Sequence, residues 1–156
     1  MKLHFEPNLD YQHTAIESVC DLFRGQEICR TEFTVTRDAL STQQALAFAQ
    51  NDLGIGNRLH LLDDEILGNL CDIQIRNGLK PSSSLASGDF TVEMETGTGK
   101  TYVYLRTIFE LSRRYGFQKF IIVVPSVAIR EGVLKNIEIT AEHFRTLYNN
   151  LSFESF

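Results

Sequence analysis

Two glycines, a lysine and a threonine stand together at Gly97, Gly99, Lys100 and Thr101, within the string METGTGKT at residues 94–101. Each residue type meets a need of polyphosphate binding. Glycines let backbone N–H groups turn toward phosphate oxygens with no Cβ in the way. A helix opening near Lys100 adds its positive end. The lysine ammonium reaches the outer phosphates, and the threonine hydroxyl ligates Mg²⁺. Thr96 and Thr98 complete the loop, so the expected nucleotide-binding set here is Thr96, Gly97, Thr98, Gly99, Lys100 and Thr101. Lys100 and Thr101 are the candidate catalytic pair, Thr101 is the candidate magnesium ligand, and ATP with Mg²⁺ is the expected cofactor. Met94 stands where the pattern GxxxxGK[ST] has its first glycine, a departure that the apolar end of a strand tolerates. The plain alternative is a glycine-rich turn with an incidental lysine. A strand pattern before the loop and a helix pattern after it speak against that.

Positioning such a loop takes a strand and a helix. Asp89–Met94 is short and β-branched, with apolar residues alternating, which predicts a strand. Lys100–Tyr115 predicts a helix with Val103, Leu105, Ile108, Phe109 and Leu111 inward, Arg113 and Arg114 complementing the dipole of its last turn, and Gly116 beyond. Lys119–Val124 predicts a second buried strand, stopped by Pro125. Strand, loop, helix, strand is one βαβ unit, so the expected fold class is α/β, with a parallel sheet flanked by helices. Ser126–Lys135 and Ala141–Asn149 read as two further helices. Upstream, Asp10 is placed to cap a helix over Tyr11–Phe23 that Gly25 ends. Glu27–Thr36 reads as a strand, and Thr42–Gln50 and Leu61–Asn77 as helices. Lys80–Gly88 is a Ser/Gly/Pro-rich loop.

Composition sets bounds on the reading. The chain has 156 residues, enough for one domain with a core, and 43% of them are hydrophobic. The longest apolar run, Phe120–Pro125, is too short to cross a bilayer, so no membrane association is expected. Cys20, Cys29 and Cys71 form neither a CxxC pair nor a zinc pattern, and they read as thiols of a reducing compartment, with a cytoplasmic location expected. Net charge is −5, yet residues 100–135 hold seven basic residues against two acidic ones, a local +5. A basic stretch after a phosphate loop suits a polyanionic partner. Taken alone, a solvated helix face is the better account. Asp63-Asp64-Glu65 reads likewise as a solvated helix start, not a metal site.

Three strings together carry a resemblance. LDYQHTAIESV, FTVEMETGTGKTYVYLRTIFEL and IIVVPSVAIREGVLKN resemble the N-terminal motor region of the Res subunit of type III restriction enzymes, within helicase superfamily 2. The resemblance implies a partial RecA-like domain and ATP-dependent motion on double-stranded DNA, with a Mod-type methyltransferase subunit as partner. By position it makes Gln12 the adenine contact, accepting from N6 and donating to N7, although a glutamine at a helix start is in most proteins merely solvated. It makes Ser126 and Arg130 contacts to the DNA backbone, of the kind that position without reading bases. Ser126 as a simple helix cap is an equally good account of that residue by itself. The expected division is residues 1–24 as the helix with the adenine-reading motif, 25–88 as an inserted mixed segment, and 89–156 as the truncated P-loop portion.

A motor of this type also needs an Asp-Glu pair on a later strand and arginines from a second RecA-like domain. Neither these nor a nuclease region appears here. The sequence stops at NNLSFESF as if cut mid-domain, so an N-terminal fragment is expected, binding nucleotide weakly and hydrolysing it poorly or not at all. The other reading kept open is a stand-alone nucleotide-binding regulatory module, without motor or nuclease activity. A small-molecule kinase is disfavoured, because its loop normally keeps the first glycine.

Overall fold

The computed structural model describes residues 5–28 and 57–149. Helix α1 spans Asp10–Asp21. Leu9 is its N-cap, with extended backbone and no side-chain cap, so Asp10 lies in the first turn instead of capping. Its carboxylate still favours the positive helix end. The buried face is Gln12, Ala15, Ile16 and Cys20, at helical spacing. Gly25, with φ +95°, turns the chain away just beyond.

Helix α2 spans Asp63–Arg76. Its first turn holds Asp63, Asp64 and Glu65, and the Glu65 carboxylate accepts from the Leu62 N–H at 2.8 Å, which satisfies one free amide of the helix start. Asn69 lies on the buried side and donates from Nδ2 to the carbonyls of Leu22 (3.1 Å) and Arg24 (2.9 Å). Those acceptors lie at and just past the end of α1, where carbonyls have no helical partner. Exposed ion pairs, Arg24–Asp72 and Arg76–Asp21, run between the same two elements. The stretch read as an insertion therefore packs, through α2, directly on α1.

Helix α3, Lys100–Tyr115, begins and ends where expected, between Gly99 (φ +83°) and Gly116 (φ +71°). Both glycines hold a left-handed conformation that costs a residue with a Cβ about 1–2 kcal/mol. Helix α4 runs unbroken from Val127 to Leu147, where two helices were expected. Residues 136–140 contain neither glycine nor proline. Thr140 is buried there, its hydroxyl donating back to the Asn136 carbonyl at 2.7 Å, so the inward stripe continues across the supposed gap.

The helices pack in the order α2, α1, α3, α4. One face of α3 (Val103, Leu111) meets Ala15, Ile16 and Cys20 of α1 together with Phe117. The opposite face (Tyr102, Leu105, Phe109) meets Phe144 and Tyr148. Fully burying aliphatic or aromatic side chains contributes about 1.5–3 kcal/mol each, so α3 is held from both sides.

Among the described residues the expected parallel sheet is not present. All their regular structure is helical, and residues 89–94 and 119–124 run without a ladder. An alternating β-branched pattern fits a chain to a half-buried pleated surface but supplies no partner for its backbone groups. Here Met94 and Phe120 pack against the α1–α3 core, while Ile121 and Val123 stand 91% and 88% exposed. The βαβ unit and the α/β class are thereby overturned for this structure. Most of the strand expected at Glu27–Thr36, and the helix at Thr42–Gln50, lie outside the described residues.

Candidate functional site

The glycine-rich loop sits on the N-terminus of α3. Gly97 (φ +82°) and Gly99 (φ +83°) both hold the left-handed conformation. The Val103 N–H bonds the Gly99 carbonyl at 3.0 Å, closing the first helical turn. By helix geometry the amides of Lys100, Thr101 and Tyr102 lie ahead of that first bond and have no acceptor within the helix. The loop is braced from inside, since the Glu95 carbonyl accepts from Thr98 Oγ1 at 2.7 Å and from Lys100 Nζ at 2.5 Å. Lys100 is exposed and joins no ion pair among the described residues, and Thr101 is half-buried at the second helical position.

Gln12 reaches this loop from α1. Its Nε2 donates to the Thr98 carbonyl at 2.9 Å, across 86 residues of sequence. The side chain is 6% exposed, and its Oε1 is buried with no hydrogen-bond partner. The fit is close: a Cβ on Gly99 would come within 2.8 Å of Gln12 Nε2. The backbone angle confines this position to glycine, and an added Cβ would also push the Gln12 amide off the Thr98 carbonyl. The structure brings together Gln12, Thr98, Gly99 and, through Glu95, Lys100.

Ser126 and Arg130 are both exposed at the start of α4. Ser126 Oγ accepts from the Ile129 N–H at 3.3 Å, so the capping role is observed, and the hydroxyl keeps its own proton to donate outward. Arg130 lies beside Glu131 at 3.4 Å, a pair more than half exposed on both sides and so weak.

An apolar cavity of about 500 Å³ lies between α1, α3 and the extended segments, walled by residues such as Ala15, Val19, Met94, Val103 and Phe120. Lys100 is the charged residue of its wall. Beside that ammonium the lining has only the hydroxyls of Tyr104 and Thr107, the latter already donating to the Val103 carbonyl, so the glycine loop is the candidate anion site and this cavity is not. Among the described residues no cluster of three or more His, Cys, Asp or Glu is arranged to hold a metal ion. No helix there is long and apolar enough to cross a membrane.

A second polar group was not legible as a unit. The basic run after the loop reads as a solvated face, and Arg113 and Arg130 are exposed, yet Arg106 and Glu110 are buried. Glu110 accepts from Arg113 (2.6 Å), Arg114 (3.0 Å) and Tyr148 (2.8 Å). Burial pushes its carboxyl up, but the hydrogen bonds from Arg113, Tyr148 and Arg114 outweigh this and hold it below the usual carboxylate range. The Tyr148 phenol is pushed up by burial and by that same carboxylate. Arg106 and Glu110 stand one helical turn apart, as do Glu110 and Arg114; that spacing was the available signal.

Comparison with known proteins places the chain in a family. The family model described as type III restriction enzyme, res subunit, matches residues 7–152. The Res subunit of the type III restriction-modification enzyme EcoP15I from Escherichia coli is 32% identical over 148 residues, covering 92% of this chain and 14% of the relative. That of EcoPI from Escherichia phage P1 is 33% identical over 149 residues, with the same coverage. That of StyLTI from Salmonella typhimurium is 49% identical over 65 residues, covering 40% of this chain and 7% of the relative. The chain spans about one-seventh of the length of the first two relatives.

Proposed function

Because the chain belongs to the family of type III restriction enzyme Res subunits, we propose that it is the ATP-binding first part of a helicase-like, DNA-translocating motor in the cytoplasm. The observation that carries this reading is the loop itself, with left-handed Gly97 and Gly99, a free helix start at Lys100, and Gln12 seated on Thr98. Phosphate oxygens would meet the unpaired amides at the helix start, where the dipole favours negative charge. Lys100 now donates to a neutral carbonyl, that of Glu95. An anionic phosphate is the stronger acceptor, so the ammonium would exchange the one for the other. The Thr101 hydroxyl would complete the magnesium shell together with the nucleotide's own oxygens.

Gln12 would read the base. One N–H is held by Thr98, which leaves the second N–H and the buried, unpartnered Oε1 as a donor–acceptor edge. Adenine offers N7 and the N6 amine to that edge, whereas guanine would set its O6 against Oε1. An unpartnered buried acceptor costs about 1–3 kcal/mol, which the N6 amine would recover. Ser126 and Arg130 would contact the backbone of double-stranded DNA, and a Mod-type methyltransferase subunit would select the site.

Calorimetric titration with a non-hydrolysable ATP analogue and Mg²⁺ tests the site. Binding is expected in the parent and not in Lys100→Ala, and equal heats from the two would refute the assignment.

A further inference from the structure

Gln12 can face the loop only if α1 is held in one register on α3, and the structure contains a device for that. Arg114 of α3 grips Glu17 of α1 with both prongs of its guanidinium, Nη1 to Oε2 at 2.7 Å and Nη2 to Oε1 at 2.5 Å. The third donor of the same group, Nε, is seated on buried Glu110 at 3.0 Å. Such a two-pronged pair fixes orientation as well as distance. Glu17 lies five residues beyond Gln12, about 140° around the helix, at the edge of the buried stripe. A pin at the edge resists rolling, which the apolar contacts of Ala15 and Ile16, along the middle of the stripe, resist poorly. The lever is sensitive. With an outer helix radius of about 5–6 Å, a roll of about 10° moves a side-chain tip by about 1 Å. That is enough to break the 2.9 Å bond from Gln12 to Thr98.

We propose that Glu17, acting through Arg114, is a positioning residue that sets Gln12 on the phosphate loop and thereby sets the preference of the site for adenine over guanine. This rests on the base-reading role given to Gln12 above. Glu110 belongs to the same device, because it holds Arg114 in place and is itself held by Arg113 and Tyr148. Glu17 pairs with Arg114 in the last turn of α3, at the opposite end of that helix from the loop, so its influence on the base would pass through α1 alone.

The test uses the 156-residue chain and measures affinity for ATP, GTP and inorganic tripolyphosphate, each with Mg²⁺, in the parent, Glu17→Gln, Gln12→Ala and the double variant. In Glu17→Gln the ATP-to-GTP affinity ratio should fall by about three- to tenfold, the size of one lost hydrogen bond, while tripolyphosphate binds as in the parent. Arg114→Lys, which keeps the charge and loses the fork, should give the same fall. In the Gln12→Ala background, Glu17→Gln should change the ratio no further. A ratio retained in both Glu17→Gln and Arg114→Lys overturns the proposal, and so does an equal loss for all three ligands, which would mark a general structural role. A parent with no preference between ATP and GTP overturns the Gln12 reading and this inference with it, and that result is visible before any variant is made.

Discussion

Replacing Gly99 by alanine should have two separable effects, and Gly97→Ala isolates one of them. Both glycines sit at nearly the same left-handed φ, +82° and +83°. Each substitution therefore carries a backbone cost of about 1–2 kcal/mol. At Gly97 nothing lies within 4 Å of the added Cβ, whereas at Gly99 it meets Gln12 Nε2 at 2.8 Å. The tip of a glutamine can swing aside, so the clash itself is relieved cheaply. Swinging aside breaks the bond to Thr98, which is worth about 1 kcal/mol. Gly99→Ala should thus be about 1 kcal/mol less stable than Gly97→Ala, a difference of about 2–4 °C in melting temperature for a chain of this size. The sharper readout is the ratio of ATP to GTP affinity, in which changes at the phosphates cancel. Gly97→Ala should keep the parent ratio and Gly99→Ala should lose it, and in a Gln12→Ala background the two should become equivalent. Identical ratios and melting temperatures for Gly97→Ala and Gly99→Ala with Gln12 intact would refute the reasoning.

Phe144, buried among the rings of Tyr102 (5.4 Å), Phe109 (4.8 Å) and Tyr148 (6.3 Å), should cost about 3–5 kcal/mol on substitution by alanine, read as a shift in the urea midpoint. Glu110 has a depressed carboxyl, so its stabilisation is fully present above the ordinary value of 4.5 and is lost as pH falls through the lower folded value. Urea midpoints followed downward from pH 5 should fall more steeply in the parent than in Glu110→Gln, and parallel curves would contradict this. Ser126→Ala should remove about 1 kcal/mol of capping in thermal melts. Because it removes no charge, it should leave the salt dependence of DNA binding unchanged, whereas Arg130→Gln should lower the slope by about 0.9.

What could be read from the sequence divides along physical lines. Helix α3 was legible to the residue, because glycine punctuates both ends and its apolar positions keep a helical period. The left-handed turns at Gly97 and Gly99 follow from glycine for the same local reason. The continuity of α4 was missed where polar Asn136, Glu138 and Thr140 interrupt the apolar pattern without breaking the helix. The sheet failed because strand patterning describes a surface and not a partner. The seating of Gln12 on Thr98 joins residues 86 positions apart, and no spacing rule reaches that far. Burial of Arg106 and Glu110 was hidden by their charge, which ordinarily marks a wet face. It is tolerated here because Tyr148, Arg113, Arg114 and the Pro7 carbonyl supply partners.

The bare stretch Phe120–Pro125 has a bearing on how the polypeptide behaves in the tube. Its first five residues, Phe120–Val124, have high β-propensity and no charge, two of them almost entirely wetted, and form a segment of the kind that nucleates cross-β stacking. Pro125 closes the window on one side and Lys119 flanks it on the other, the two residue types that most often act as gatekeepers. The chain's net charge of −5 adds mutual repulsion between molecules. Salt weakens that repulsion and leaves the sticky segment untouched, so colloidal stability should decline as ionic strength rises, and concentrated stocks keep best in dilute buffer.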